Sequence, residues 1–351
     1  MHPTALAFLM AISCAAAPDS QGSDQRNSND RPVERSQRGG QGTPRDTGAP
    51  ESDLGVETAT HVEVEPLGIE FQSLTSLRLH TDGDLLACDG AAKQIKVISP
   101  AGRLKASIPL PFGPEAIDVD GNGRIYCGGD GQLVVMDKAG KLLHTAKSPA
   151  DAETDLSQAR RKFSKAVRLS GIAVSGDSVF VAFGSGWSTG SKSKLFRFDR
   201  QLSNPALLAE GLRGCCQRCD IAARDGVLYL AENAAYRVVA YKGSGEILGK
   251  WGEQSRTDLK GFGSCCNPMN LCFDAKGVLY TAESGLGRVK RYSTDGKYLG
   301  LVGYAGVERF TRAGGMAASC SNIAIDVTPD GKTVYVMDFK NNTIRVLRQK
   351  D

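Results

Sequence analysis

Gly226-Val227-Leu228-Tyr229-Leu230-Ala231-Glu232-Asn233 returns later in the chain as Gly277-Val278-Leu279-Tyr280-Thr281-Ala282-Glu283-Ser284. The stretches that follow also match: Arg237-Val238-Val239-Ala240-Tyr241 and Arg288-Val289-Lys290-Arg291-Tyr292. A repeat of this size is one small structural unit copied around an axis or along a line. Leu85-Leu86-Ala87-Cys88-Asp89, Ile125-Tyr126-Cys127, Val179-Phe180-Val181-Ala182 and Val334-Tyr335-Val336-Met337-Asp338 fill the same slot. With Leu86, Tyr126, Phe180, Tyr229, Tyr280 and Tyr335 as markers there are six copies, 40 to 55 residues apart. Each copy reads as an apolar run, a Gly-containing turn, a second apolar run closing near an acid, another turn and a third run. Short apolar runs between turn residues are antiparallel strands. A parallel βαβ sheet is excluded, because no helix separates successive strands.

A unit of about 40–50 residues with four short strands is the size of a propeller blade. The fourth strand is visible at Arg103 to Leu110, Lys141 to Lys147, Glu246 to Trp251 and Lys297 to Val302. The last copy stops after its third strand, Thr343 to Leu347, which would leave an open sheet edge. The extended segment His61 to Phe71 is the donor that completes it. The expected fold is therefore all-β, a six-bladed β-propeller whose ring is closed by an N-terminal strand given to the last blade.

The sixth copy carries a resemblance to NHL-repeat propellers: Asn322-Ile323-Ala324-Ile325-Asp326, then Gly331, Val334 to Asp338, Asn341 and Ile344-Arg345-Val346. Copies four and five match comparably. Copies one to three are looser, with Gly129 and Phe183 where the acid is expected in the second and third. The resemblance runs from about residue 61 to the C-terminus. It implies a scaffold shared by enzymes, sensors and interaction modules, so function has to be argued from the site.

The chain has 351 residues and a net charge of only +4. No run of Lys and Arg interleaved with aromatics suggests a nucleic-acid stripe, so nucleic acid is not an expected partner. Residues 1–17 read as a signal peptide: Ala5 to Ile12 is apolar and Ser13-Cys14-Ala15-Ala16-Ala17 follows, though no Lys or Arg precedes it. Ala11-Ile12-Ser13-Cys14 resembles a bacterial lipobox, which makes Cys14 the lipidation candidate and implies a membrane tether. Residues 18–60 are polar, rich in Gly, Ser, Asp, Gln, Arg and Pro, and read as a disordered linker. Residues 61–351 are the propeller, interrupted by a short helical insertion near 151–167. The expected location is exported, periplasmic or in the cell envelope.

Ten Cys are present, seven of them in the second half. Aligned on the repeat, Cys215 and Cys266 are equivalent and precede the first strand of their copies, while Cys320 falls in the corresponding loop of the sixth. In a propeller the first strand lines the central channel. Cys215, Cys216, Cys219, Cys265, Cys266 and Cys320 are therefore expected to gather at one mouth, on blades four to six. Two chemistries fit. Outside the cytoplasm such thiols are usually disulfides. Thiolates also select zinc, copper or iron–sulfur clusters, and Cys216-Gln217-Arg218-Cys219 is a CxxC half-site with Met269 as a soft extra ligand. Cys88 and Cys127, in second strands, read as buried apolar residues.

The same mouth collects Glu115, Arg218, Met269, Asn270 and Asn322, a candidate polar ring for a small ligand. The competing reading is that these side chains satisfy local backbone groups. Asp118-Val119-Asp120-Gly121-Asn122-Gly123 starts like a calcium loop, but Gly129 stands where Glu is needed, and the stretch fits the repeat's own turn better. Four His, scattered over different elements, offer neither a His-ligated zinc nor a Ser/His/Asp arrangement. Calcium-dependent gluconolactonases share the six-bladed form and place Glu, Asn and Asp around the axis, which Glu115, Asn270 and Asn322 faintly echo. Glu232, Glu283 and Asp338 recur at one repeat position, as a structural hydrogen bond would. The leading expectation is a non-catalytic scaffold that binds a protein or small molecule at the channel mouth. The alternative is an enzyme, either a metal-dependent, lactonase-like hydrolase or a redox protein using the Cys cluster.

Overall fold

A computed structural model describes residues 53–149, 168–184, 192–215, 218–264, 266–306, 310–311, 317–318 and 322–351. The signal segment, Cys14, most of the linker and the helical insertion lie outside them. The described residues begin before His61 and include a 3₁₀ turn at Val56–Thr58. Tyr304 Oη ties it down by donating to the Leu54 carbonyl at 2.7 Å.

β1 (His61–Leu67) precedes the first blade. Blade 1 is β2 (Leu74–Leu79), β3 (Leu85–Asp89), β4 (Gln94–Ile98) and β5 (Leu104–Pro109). Blade 2 is β6 (Ala116–Val119), β7 (Ile125–Gly129), β8 (Gln132–Met136) and β9 (Leu142–Lys147). Blade 3 is β10 (Arg168–Ser175), β11 (Ser178–Gly184), β12 (Lys192–Asp199) and β13 (Ala206–Arg213). Blade 4 is β14 (Ile221–Arg224), β15 (Val227–Glu232), β16 (Arg237–Lys242) and β17 (Ile247–Trp251). Blade 5 is β18 (Asn270–Phe273), β19 (Leu279–Glu283), β20 (Arg288–Tyr292) and β21 (Tyr298–Tyr304). A two-stranded hairpin follows, β22 (Phe310–Thr311) with β23 (Ala317–Ala318). Blade 6 is β24 (Ile325–Val327), β25 (Thr333–Asp338) and β26 (Thr343–Gln349), with β1 as its fourth strand.

Six four-stranded antiparallel sheets thus form a six-bladed β-propeller. The donated strand pairs with β26 from His61↔Gln349 to Leu67↔Ile344, with an irregularity between Val64 and Leu67. Closure also shows in the cores. Successive side chains of a strand point to opposite faces of its sheet. In β3, Leu86 and Cys88 pack with Ile117, Ile125 and Cys127 of blade 2. The alternate residues Leu85 and Ala87 pack with Tyr335, Met337 and Val346 of blade 6. Six such clusters occur, one for each blade–blade contact. This is why the second strands are apolar on both faces. Cys88 and Cys127 lie in one of these clusters, as small apolar residues do.

The recurring acids are backbone staples. Asp89 accepts from the amides of Gln72 and Ser73 at 3.0 and 2.9 Å. Glu232 accepts from Arg213 N at 3.1 Å and Glu283 from Gly263 N at 2.7 Å. Each acid thereby fixes the loop that leads into its own blade. A base on the third strand balances it: Lys96, Arg237, Arg288 or, for Asp338, Arg345. Blade 2 departs from the pattern for a steric reason. A Cβ at Gly129 would lie 2.0 Å from the Gly113 carbonyl oxygen. The acid has moved on by one residue, and Asp130 accepts from Gly113 N at 2.9 Å.

Glu283 has a second cation, Lys290, 2.8 Å away, and Glu283, Arg288 and Lys290 have fully buried side chains. Lys290 Nζ donates to the carbonyls of Leu259 and Gly261 and lies 4.7 Å from the Phe262 ring centroid. Burial would raise the Glu283 carboxyl, but the two cations outweigh it and hold it below its ordinary value. Burial brings Lys290 down to about 8, and the single anion, shared with Arg288, does not restore it.

A chain beginning at residue 68 lacks the closing strand and leaves the β26 edge and the apolar contacts of Val64 and Leu67 open. It should lose its single cooperative melting transition by circular dichroism, and a peptide spanning residues 58–71 should restore it.

Candidate functional site: the central channel

The first strands of the six blades surround the axis. At the end where the chain enters these strands, the channel narrows to about 40 Å³ of open space. Glu115, Arg218, Met269, Asn270 and Asn322 all line it, together with Thr75, Ser170 and Asp220. Residues from six different blades therefore converge, and what they do is visible in their hydrogen bonds. Thr75 Oγ1 donates to the Pro114 carbonyl at 2.6 Å, linking blade 1 to the loop before blade 2. Glu115 accepts from Leu169 N at 2.8 Å, linking blades 2 and 3. Ser170 Oγ donates to the Cys219 carbonyl at 3.0 Å. Asp220 Oδ2 accepts from Leu271 N at 2.7 Å and Asn270 Nδ2 at 2.8 Å. Asn270 Oδ1 accepts from Ile325 N at 2.8 Å, and Asn322 Nδ2 donates to the Thr75 carbonyl at 3.2 Å. At least one side-chain bond crosses each of the six boundaries.

Beyond this ring stands Arg78, the one residue among those described that is common to the walls of the narrow end and of a wider cavity at the opposite mouth. Its Nε ion-pairs with Asp118 at 2.7 Å and its Nη1 lies 3.6 Å from Asp326. Asp118 also accepts from Val174 N at 2.7 Å, and Asp326 from Leu79 N at 2.6 Å. Burial opposes the charge on Arg78, but Asp118 and Asp326 outweigh it and raise its pKa. Burial raises the carboxyls of Glu115 and Asp118 and pushes Asp220 up to about 7. The side chain of Arg78 is 28% exposed although protein surrounds it on all sides, because its free surface faces the channel interior.

The sequence expectation named residues where the chain enters the first strands and missed Asp220 beside them and three charged residues further along these strands: Arg78, Asp118 and Asp326. The available signal was a charged residue next to the innermost apolar positions, as in Leu77-Arg78-Leu79, Ile117-Asp118 and Ile325-Asp326. Asp118 and Asp120 were legible only as a turn. Asp120 indeed caps the amides of Asn122 and Arg124 at 2.9 Å and pairs with Arg200 at 2.6 Å.

The cysteines divide. Cys216, Cys265 and Cys320 lie outside the described residues. Cys266 packs in the cluster between blades 5 and 6 with Met269, and Cys215 packs against the same cluster. Asn233 ties this corner by accepting from Cys215 N at 2.7 Å and donating to Met269 Sδ at 3.4 Å. Cys219 does not face the channel. It is buried between blades 3 and 4 among Ala173, Leu195 and Leu212, and its neighbours Arg218 and Asp220 supply the channel wall. Strand alternation places every second side chain away from the axis. Burial pushes its thiol up to about 12, and raises Cys88 and Cys272 as well, so these are packing residues and poor nucleophiles.

A closed ring of six blades around a polar, arginine-divided channel defines the class: a six-bladed β-propeller. No family model matches the sequence, and neither does any curated protein. Among solved structures, the chain is similar to regucalcin, a calcium-binding protein from Agrobacterium tumefaciens, at 16% identity and TM-score 0.53, covering 84% of this chain and 96% of that one. It is similar to a gluconolactonase from Xanthomonas campestris at 12% identity and TM-score 0.55, covering 84% and 91%. It is also similar to a streptogramin B lyase at 13% identity and TM-score 0.52, covering 84% and 99%. At these identities the likeness is one of fold.

Replacing Arg78 with Met leaves Asp118 and Asp326 buried without their counter-charge. The variant should lose about 3 kcal/mol in urea unfolding, toward the lower end for a broken buried pair because the channel wets the site. Asp220 gives a pH signature. Its folded carboxyl sits at about 7, against an ordinary value near 4, so between those values the folded state holds a proton the unfolded state has lost. Its contribution to stability is present at low pH and declines as pH rises from about 4 to about 7. Asp220→Asn should flatten that part of the curve of midpoint against pH.

Proposed function

We propose that the protein is an exported NHL-repeat propeller that acts as a binding scaffold, with its partner, a protein or small molecule, engaged at the narrow channel mouth. The carrying observation is the use already made of the polar side chains there. Glu115, Asp220, Asn270 and Asn322 each spend an oxygen or N–H group on the backbone of the next blade. Groups held in this way order a rim and resist repacking. The rim includes the loops of blades 4 to 6, where Cys215, Cys266 and Met269 share one cluster. In this reading Cys215, Cys216, Cys265, Cys266 and Cys320 staple those loops as disulfides, with a soft metal as the competing occupant. A lipid on Cys14 and the polar linker would hold the scaffold at a membrane.

The neighbouring gluconolactonase and the calcium-binding regucalcin favour a second reading, a metal-dependent hydrolase. The channel fits a calcium ion poorly. Arg78 and Arg218 line the same narrow space, and the Asn270 oxygen is taken by Ile325 N. A divalent cation would meet two guanidinium groups and few uncommitted oxygens.

Two measurements test the proposal. Peptide mapping without reduction should find disulfides between the loops of blades 4 to 6, and elemental analysis no stoichiometric zinc, copper or iron; a bound metal released on thiol alkylation replaces the staple with a metal site. With calcium present, lactone hydrolysis should equal the buffer rate. Turnover that disappears in Glu115→Gln would establish the hydrolase instead.

A further inference from the structure

The mouth opposite the cysteine-bearing loops holds the larger space, about 590 Å³, within the ~300–1,000 Å³ typical of small-molecule sites. It opens among the turns that join first to second strands. Its floor is Arg78, the same guanidinium that closes the narrow end. Its wall carries apolar surface from Val119, Ala223, Phe273 and Val327, with Phe273 held edge-on against Tyr229 at 5.2 Å between centroids. Most of the other charged groups there are committed, and Asp82, at the exposed rim, accepts from Asp84 N and lies 2.8 Å from His80. Arg224 bonds the carbonyls of Asp274 and Ala275 and pairs with Asp225. Asp274 accepts from Val278 N and Tyr280 Oη. Asp326 accepts from Leu79 N and Val327 N. Arg78 is different: Nε and Nη1 face carboxylates, while Nη2 has no acceptor among the described residues.

We infer that this wide mouth is a second ligand site, for a neutral small molecule that presents a carbonyl-type acceptor to Arg78 Nη2 and lays an apolar body against Val119, Ala223 and Phe273. Charge decides the class. Asp118 and Asp326 already outnumber the one guanidinium between them, so an anion at Nη2 gains one attraction and meets two nearby repulsions. A cation would have to stand beside Arg78 itself. A neutral acceptor satisfies the spare donor without either cost, and the half-apolar wall supplies the remaining affinity. The site is separate from the narrow mouth and does not rest on the function proposed for it.

Three probes of one shape separate the cases: cyclohexanecarboxamide, cyclohexanecarboxylate and cyclohexylammonium. The readout is the Arg78 Nε–Hε resonance in nitrogen-15-labelled full-length protein, assigned by its loss in Arg78→Lys. The amide should shift this resonance saturably, with the two charged probes roughly tenfold weaker or more. Val119→Phe and Ala223→Leu fill the cavity from two different blades without touching Arg78, and each folded variant should weaken the amide by a similar factor. A resonance that the amide does not move overturns the inference, as does equal or tighter binding of a charged probe. Unchanged amide binding in both filled variants overturns it too.

Discussion

The ladder between β1 and β26 is the constraint on which the remaining structure depends. Among the described residues, each apolar cluster lies between two blades and none within one. A blade at an open end would therefore expose one whole face to water. Closing the ring with a strand from the other end of the chain gives blade 6 its outer edge, and the cluster shared by blades 6 and 1 then joins the two ends. Hydrophobic burial and hydrogen-bond pairing thus favour the same closure.

Charged residues do two different jobs in this ring. At the top of the second strand in blades 1, 4 and 5 an acid holds an incoming loop and a base on the third strand neutralises it. The device is elaborated alike in blades 1 and 5, where Lys96 and Lys290 lie over Phe71 and Phe262 and reach loop carbonyls. Around the axis, acids and amides instead tie neighbouring blades together. Because Asp118 and Asp326 are buried, they need a counter-charge, and Arg78 supplies it from the middle of the channel. The same side chain divides the channel into a narrow polar end and a wide, half-apolar one. A structural requirement for charge balance therefore also shapes both candidate binding spaces.

The fold was legible because its signals are local and repeated. Six apolar runs at the same place in each copy, turn glycines and a missing last strand were enough to place every blade and name the donor. The recurrent acids were correctly legible as structural, since a feature present in most blades answers a need of the blade. At the channel mouth, Glu115, Arg218, Met269, Asn270 and Asn322 were placed together by strand register alone. Cys219 was not, because a shift of one residue turns a side chain from the axis into the core between blades.

The sequence by itself determined the unit, its number and the way the ring closes, since strand period and turn chemistry act between residues close along the chain. Only the tertiary structure decided which polar side chains remain available. Whether Asn270 meets a ligand or Ile325 N, and whether Arg78 plugs the axis or leaves it, depends on distances between residues tens to hundreds of positions apart. Those distances exist only once six blades share one axis.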